Sequence, residues 1–270
     1  MIDGKYFVID AHCHIYPPKI AAKAAQSTGN FYGERPYADG TVDFLLKEGT
    51  TVGIDHFIVQ SVATTPRQVQ SINEFIARSV SQSNGRMTGF GTLHPDSDDQ
   101  TRDIEHLLEL GLRGVKLHPD IQNFKVDDLR CLAIYELCAR KNLPILMHTG
   151  DHRYDNSNPN RILPILQAYP QLILIGAHFA GWSVWEKSMQ LAKMSNLYVD
   201  CSSTMPYLSN DKVVELIDCF GADRVFFGTD YPLWSPGIEL ERFMALPLTQ
   251  KQRRMILSEN IKNVLKLDVE

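Results

Sequence analysis

No stretch of this sequence approaches the ~18 consecutive apolar residues of a membrane span, so a spanning helix is not expected. None of its five cysteines (Cys13, Cys131, Cys138, Cys201 and Cys219) forms a CxxC pair, and their number is odd. That argues against a disulfide framework and for buried free thiols in a reducing compartment. Basic residues are not in excess: 27 Lys and Arg against 32 Asp and Glu give a net charge of −5, with no basic face for nucleic acid. Low-complexity segments and short-period repeats are also lacking. The opening MIDGKYFVIDAH does not read as a signal peptide, so the expectation is a soluble, cytoplasmic protein.

What is present suits a globular enzyme. The chain has 270 residues, 44% hydrophobic and 22% charged, enough to bury a core without covalent staples. Short apolar runs alternate with helix-period segments throughout. The strand candidates are Tyr6–Asp10, Asp55–Ser61, Met87–Leu93, Gly114–His118, Pro144–His148, Leu172–His178, Leu197–Asp200 and Arg224–Gly228. Helices are expected over Gln68–Ser83, Asp98–Leu110 and Asp127–Lys141, among others. Asp98 and Asp127 are candidate N-caps, Pro66 and Pro159 candidate first residues, and Gly111 a left-handed cap. Repeated β-then-α units without a composition break predict one parallel (β/α)8 TIM barrel spanning 1–270, with an open doubly wound sheet as runner-up. The longest irregular stretch, 15–40, follows the first strand and would lie over the catalytic face as a lid.

The chemistry-bearing residues fall at strand ends. Asp10-Ala11-His12-Cys13-His14 closes the first strand, and alternation puts His12 and His14 on one face and Cys13 on the other. Two imidazoles side by side can bite one metal ion. His148 closes LPILMH, His178 closes LILIGAH, His118 follows GVKL, and Asp230 follows VFFGT. Apolar runs that each end in His or Asp place those groups at one rim of a parallel sheet, where barrel enzymes keep their active sites. Buried polar groups need partners, and a shared metal would satisfy several at once.

The ordered set DAHCH, GVKLHPD, ILMHTGD, IGAHFAG and FGTDYP resembles the amidohydrolase superfamily. It is most similar to the amidohydrolase-2 branch, which includes aminocarboxymuconate-semialdehyde decarboxylase and many metal-dependent hydrolases. The resemblance runs from the first strand to the closing SENIKNVL helix. It implies zinc, or manganese or iron in its place, held by His12, His14, His148 and Asp230. It also implies that Asp230 exchanges a proton with a water whose pKa the metal lowers toward ~7, and that His178 orients that water or acts as acid or base.

In two-metal relatives a fourth-strand lysine is carbamylated and bridges the ions. Lys116 stands at that position, and its ordinary alternative is a pair with Asp10 or Asp200; one metal is favoured. Substrate contacts are expected from Lys116, His118, Arg153 and Trp182, with Tyr154, Arg35 and Tyr231 as further rim candidates. Arginine suits a carboxylate through a two-pronged hydrogen bond. The first functional reading is hydrolysis of a C–N or C–O bond in a small molecule. The alternative is metal-dependent, non-oxidative decarboxylation of a small unsaturated or aromatic acid. A TatD-like nuclease fits less well, because GVKLHP has no glutamate in the usual place, and a PHP-type phosphatase has a different later histidine series. A non-catalytic barrel would lack a ligand, and none is missing. No nucleic-acid or membrane partner is expected, and the branch suggests a homodimer.

Overall fold

The computed structural model describes residues 5–269, so the ends of the expected 1–270 domain lie outside the described residues. The strands are β1 (Ile9–His14), β2 (His56–Gln60), β3 (Met87–Gly89 and Gly91–Thr92, interrupted at Phe90), β4 (Val115–Leu117), β5 (Ile145–Met147), β6 (Leu174–Gly176), β7 (Leu197–Asp200) and β8 (Val225–Phe226). All are short and followed by helical segments, and every neighbouring pair is parallel. Closure runs from β8 back to β1. Ala11 N donates to Phe227 O at 2.8 Å, His14 N to Tyr231 O at 2.6 Å, and Asp230 N to His12 O at 2.9 Å. Asp10 reinforces the seam by accepting from Thr229 N at 2.9 Å and Thr229 Oγ1 at 2.5 Å. The fold is the (β/α)8 TIM barrel, and the open sheet is ruled out by this seam.

The expected strands are all present, Leu197–Asp200 with the ends expected and the others with shifted ends. The largest shift is in β1, expected over Tyr6–Asp10 but running through the HxH motif, because the motif's own backbone pairs with β8. The helix N-caps are Asp99 and Asp128, each one residue later than expected, with side chains accepting from Arg102 N and Arg130 N. Pro66 and Pro159 do start helical turns, and Gly111 takes φ +75° after the helix Gln100–Glu109. All five cysteines are free; four are buried and Cys219 is only partly so.

The barrel interior is apolar at the base. Ile9, Ile58, Phe90, Leu146, Ile175 and Phe226 pack there, closed from below by Ile261 and Leu265 of the C-terminal helix. Polar side chains occupy the other end. Between Asp10 and Cys13 the β1–β2 register shifts. Ile9 and Ala11 therefore belong to the interior cluster, while Cys13 joins the layer between barrel and helices. His12 and His14 then face the cavity at the top. No helix among the described residues is long and apolar enough to cross a membrane.

The stretch 15–40 is not irregular throughout. It carries α1 (Ala21–Tyr32), followed by α2 (Val42–Val52). Ala21, Ala25 and Gly29 form its buried stripe at four-residue spacing. A Cβ on Gly29 would stand 2.5 Å from Glu34 O and 2.7 Å from Pro36 Cδ, so only glycine lets the returning chain approach the helix.

Candidate active site

The strand ends converge as the sequence pattern predicts. His12 Nε2 lies 3.3 Å from His14 Nε2 and 3.4 Å from Asp230 Oδ1, and His14 Nε2 lies 3.6 Å from that same oxygen. Donors at ~2.0–2.1 Å from a tetrahedral ion stand about 3.3–3.4 Å from one another. The three atoms therefore have the mutual spacing of ligands on one ion. They are one of three His/carboxylate groups among the described residues close enough to hold a metal.

The hydrogen bonds around this trio orient it. Asp200, at the end of β7, accepts from His12 Nδ1 at 2.9 Å and turns Nε2 toward the cluster. Its other oxygen accepts from His178 N at 3.1 Å, Ser202 N at 3.0 Å and Ser202 Oγ at 2.5 Å. Burial alone would raise the Asp200 pKa, but His12, His178 and Ser202 win and hold it well below the carboxylate range. A carboxylate behind a ligand imidazole fixes its tautomer and raises its basicity. Asp230 is fixed similarly: Ser203 Oγ donates to Oδ2 at 2.6 Å and receives Trp234 Nε1 at 2.9 Å. Burial pushes the Asp230 pKa up, and His12, His178 and Lys116 bring it below normal overall.

His148 and His178 stand beside the trio. A carbonyl can only accept, so His148 Nε2 donates to Gly150 O at 3.0 Å and His178 Nδ1 donates to Ser202 O at 2.9 Å. Their remaining nitrogens, His148 Nδ1 and His178 Nε2, are 3.1 Å apart. Burial lowers the pKa of both, that of His178 to about 4, so both are neutral near pH 7. His148 is not in the His12–His14–Asp230 group; its metal-competent group is His118–Asp120–His148. The backbone that delivers His178 is unusual. His178, Phe179 and Ala180 all take φ between 53° and 60°, a left-handed run costing roughly 1–2 kcal/mol per residue. Strain held this way is typical of functional positions. Gly150 is needed too, since a Cβ there would meet Gly181 C at 2.5 Å.

Lys116 points into the barrel and is 1% exposed. Its Nζ is 2.9 Å from His12 Nε2, and it pairs with neither Asp10 nor Asp200 directly. Burial lowers its pKa to about 8, opposed by the fields of Asp230 and Asp200. His118 caps the short helix Pro119–Gln122 by accepting from Ile121 N through Nδ1. That leaves its Nε2 to donate to Tyr32 Oη at 2.6 Å, and the Tyr32 hydroxyl lies 3.3 Å from His148 Nδ1.

A cavity of about 780 Å³ opens over this cluster; His12, His14, Lys116, His118, His148, His178 and Asp230 are on its wall. Arg153 is not. Its guanidinium is bound to Asp151 at 2.9 and 2.7 Å, donates to Phe31 O at 2.6 Å and lies over the Phe31 ring. It braces α1, and the Nε–Nη2 edge of its fork is taken by Asp151. Trp182 is likewise off the main cavity, packed edge-on against Tyr32 with ring centroids 5.1 Å apart. Tyr154 stacks on Phe31, Arg35 is exposed, and the buried Tyr231 donates to Thr41 O. Two important residues carried readable or hidden signals. Asp200 ends LYVD, so the strand-end rule that found Asp230 also points to it. Tyr32 had no sequence signal, since the segment bearing it lacks a strong helical pattern.

The family described as Amidohydrolase matches residues 9–267. The chain belongs to the amidohydrolase family. Solved structures share the fold across nearly full lengths. One is 5-carboxyvanillate decarboxylase LigW from Sphingomonas paucimobilis (TM-score 0.76, 14% identity, covering 97% of this chain and 99% of that one). Another is a dihydroxybenzoic acid decarboxylase from Polaromonas sp. with bound manganese and the inhibitor 2-nitroresorcinol (0.76, 16%, 98% and 98%). A third is a putative 2-pyrone-4,6-dicarboxylic acid hydrolase from Pseudomonas putida (0.70, 18%, 98% and 99%). This amidohydrolase is thus an enzyme of a family whose members bind a divalent metal.

Proposed function

We propose that this amidohydrolase-family enzyme is a divalent-metal-dependent, non-oxidative decarboxylase of an unsaturated or aromatic carboxylic acid. This reverses the order expected from sequence, where hydrolysis of a C–N or C–O bond came first. The observation that carries it is Lys116: a buried ammonium in the donor cluster with no ion pair among the described residues. An unpaired buried cation is costly, and a substrate carboxylate would be its natural partner. Two of the relatives described above are named decarboxylases, which supports the same order.

His12, His14 and Asp230 would hold the ion, with His148 as the proposed fourth ligand; zinc is the proposed metal, with manganese or iron in its place. When bound, the ion supplies a Lewis acid that withdraws electron density from an oxygen of the substrate. Lys116 binds the carboxylate and fixes its orientation. The C–C bond breaks, CO2 departs, the electron pair stays on the substrate carbon, and one proton replaces the lost group. That proton comes from water, and Asp230, held through Ser203 with Oδ1 toward the cavity, would relay it to the carbon. His178, whose Nδ1 proton goes to Ser202 O, offers Nε2 as an acceptor to a neighbouring hydroxyl or water. The segment 15–40 serves as a lid, with Tyr32 sealing the site against water. A soluble, cytoplasmic enzyme, able to pair as a homodimer and with no nucleic-acid partner, completes this reading.

The test is a panel of aromatic carboxylates, lactones and amides with metal-reconstituted protein, monitored for CO2 and for product. CO2 release from a carboxylate is the expected result. Turnover of a lactone or amide without CO2 would overturn decarboxylation in favour of hydrolysis.

A further inference from the structure

The cavity extends well beyond the His/Asp cluster. At about 780 Å³ it lies in the upper part of the ~300–1,000 Å³ range that encloses ligands of several rings or a long chain. Its outer half lies between two helices, each contributing one face. From the α1 side come Ile20, which precedes the helix, then Ala24, Ser27, Thr28 and Phe31. From α3 (Val69–Ser81) come Ile72, Phe75 and, beyond them, Arg78. Positions 20, 24, 27, 28 and 31, like 68, 71, 72, 75 and 78, recur at the three- and four-residue spacing of a single helical stripe.

The character of the two ends differs sharply. The inner end holds five imidazoles, Asp120, Asp230 and Lys116. The middle is walled mainly by Ile20, Ala24, Phe31, Ile72, Phe75 and Ile121. Several of these remain open to solvent: Ile20 is 50% exposed, and Ala24, Ile72, Phe75 and Ile121 are only partly buried. Such a half-open apolar wall, continuous with a polar reaction centre, is the shape of a substrate channel rather than of a folding core. The outer cation, Arg78, sits beside Glu74 at 3.7 Å with its side chain 64% exposed, so the far end offers a solvated ion pair and not a second buried anion site.

We infer that the substrate is an amphipathic acid whose single carboxylate sits at Lys116 and whose apolar body, longer than one aromatic ring, runs outward between α1 and α3. This rests on the decarboxylase reading for the head group only; the channel itself is independent of the reaction. The stretch between α1 and α3 would take an alkyl or second aryl substituent placed away from the carboxylate.

The experiment is direct binding of 4-alkylbenzoates, from benzoate to 4-hexylbenzoate, to the metal-loaded protein by calorimetry. Affinity should rise about threefold to fourfold per methylene, the gain for full burial of a CH2 group. Ala24→Trp, which fills the channel, should flatten that slope. Ile72→Ser on the opposite wall should reduce it. A Kd independent of chain length, or no binding by any member, overturns the channel assignment. Lys116→Met separates the two ideas. If the slope persists and the variant still prefers carboxylates over the matching uncharged amides as strongly as the parent does, the channel stands and the carboxylate anchor of the decarboxylase reading falls; loss of that preference supports the anchor.

Discussion

Asp200 Oδ2 receives the Nδ1 proton of His12 at 2.9 Å, and this contact sets which nitrogen of His12 faces His14 and Asp230. Replacing the carboxylate by Asn removes the charge while keeping the shape. Asp200→Asn should weaken divalent-metal affinity by 10- to 100-fold, the usual effect of losing a carboxylate behind a ligand imidazole. Metal titration of the variant and the parent measures it. Unchanged affinity would mean that His12 is oriented by Ser202 alone, whose Oγ is 3.1 Å from the same nitrogen.

The ligand motif gives a second expectation. The purified protein should carry about one equivalent of a divalent ion, and His12→Ala or His14→Ala should lose it. Cys13→Ser should keep it, because Cys13 packs in the layer between barrel and helices. Metal analysis of the three variants decides the matter, and equal loss in all three would contradict the placement of Cys13.

Lys116 should matter for activity and not for metal. Lys116→Met should retain the ion and lose turnover, and intact-mass and carbon-13 measurements on the parent should show a free amine rather than a carbamate. With its pKa near 8, the ammonium is present below that value and lost as pH rises through it. Carboxylate affinity should therefore fall on the alkaline side of pH 8. A profile flat to pH 10 would remove Lys116 from substrate binding.

Asp230 and His178 should fail in different ways. Asp230→Asn keeps an oxygen near the cluster but cannot carry the proton, so activity should drop by ~10²–10⁴ with metal largely retained. His178→Asn should leave the metal in place and slow turnover through loss of the Nε2 acceptor that would take a proton from a neighbouring hydroxyl or water. A metal-free His178→Asn protein would make His178 a ligand.

His56 offers a pH test away from the site. Burial lowers its pKa from 6.5 to about 4, and its Nε2 lies 2.9 Å from Thr88 Oγ1. Between pH 6.5 and 4 the unfolded chain binds a proton there that the folded chain refuses. Stability should fall across that window, by ~3 kcal/mol from this group, and then level off. Denaturation curves of the parent and His56→Gln, compared at pH 7 and 4.5, should show the smaller loss in the variant.

Much of the fold and of the site could be read from the chain. Apolar runs ending in His or Asp specify parallel strands with polar tips, because an apolar strand buried on both faces can carry charge only where it emerges. That logic locates His12, His14, Lys116, His118, His148, His178 and Asp230 on one rim, and all seven line one cavity. It also marks Asp200, whose strand ends in the same manner.

Tertiary structure decided the rest. Strand alternation from Ile9 would send the even-numbered His12 and His14 away from the interior; the register shift after Asp10 brings them back, and only pairing with β2 and β8 creates that shift. The left-handed run at His178–Ala180 is unfavourable for each residue taken alone and persists because the loops around Gly150 and Gly181 hold it. Arg153 reads from sequence as a free rim cation, yet Asp151 and the end of α1 claim it. The helix that brings Tyr32 over the site is stabilised by what it packs against, an Ala21–Ala25–Gly29 stripe too weakly patterned to announce itself. Local sequence determines which groups can reach a strand end; which of them turn inward, and which are consumed by partners, depends on contacts between residues far apart in the chain.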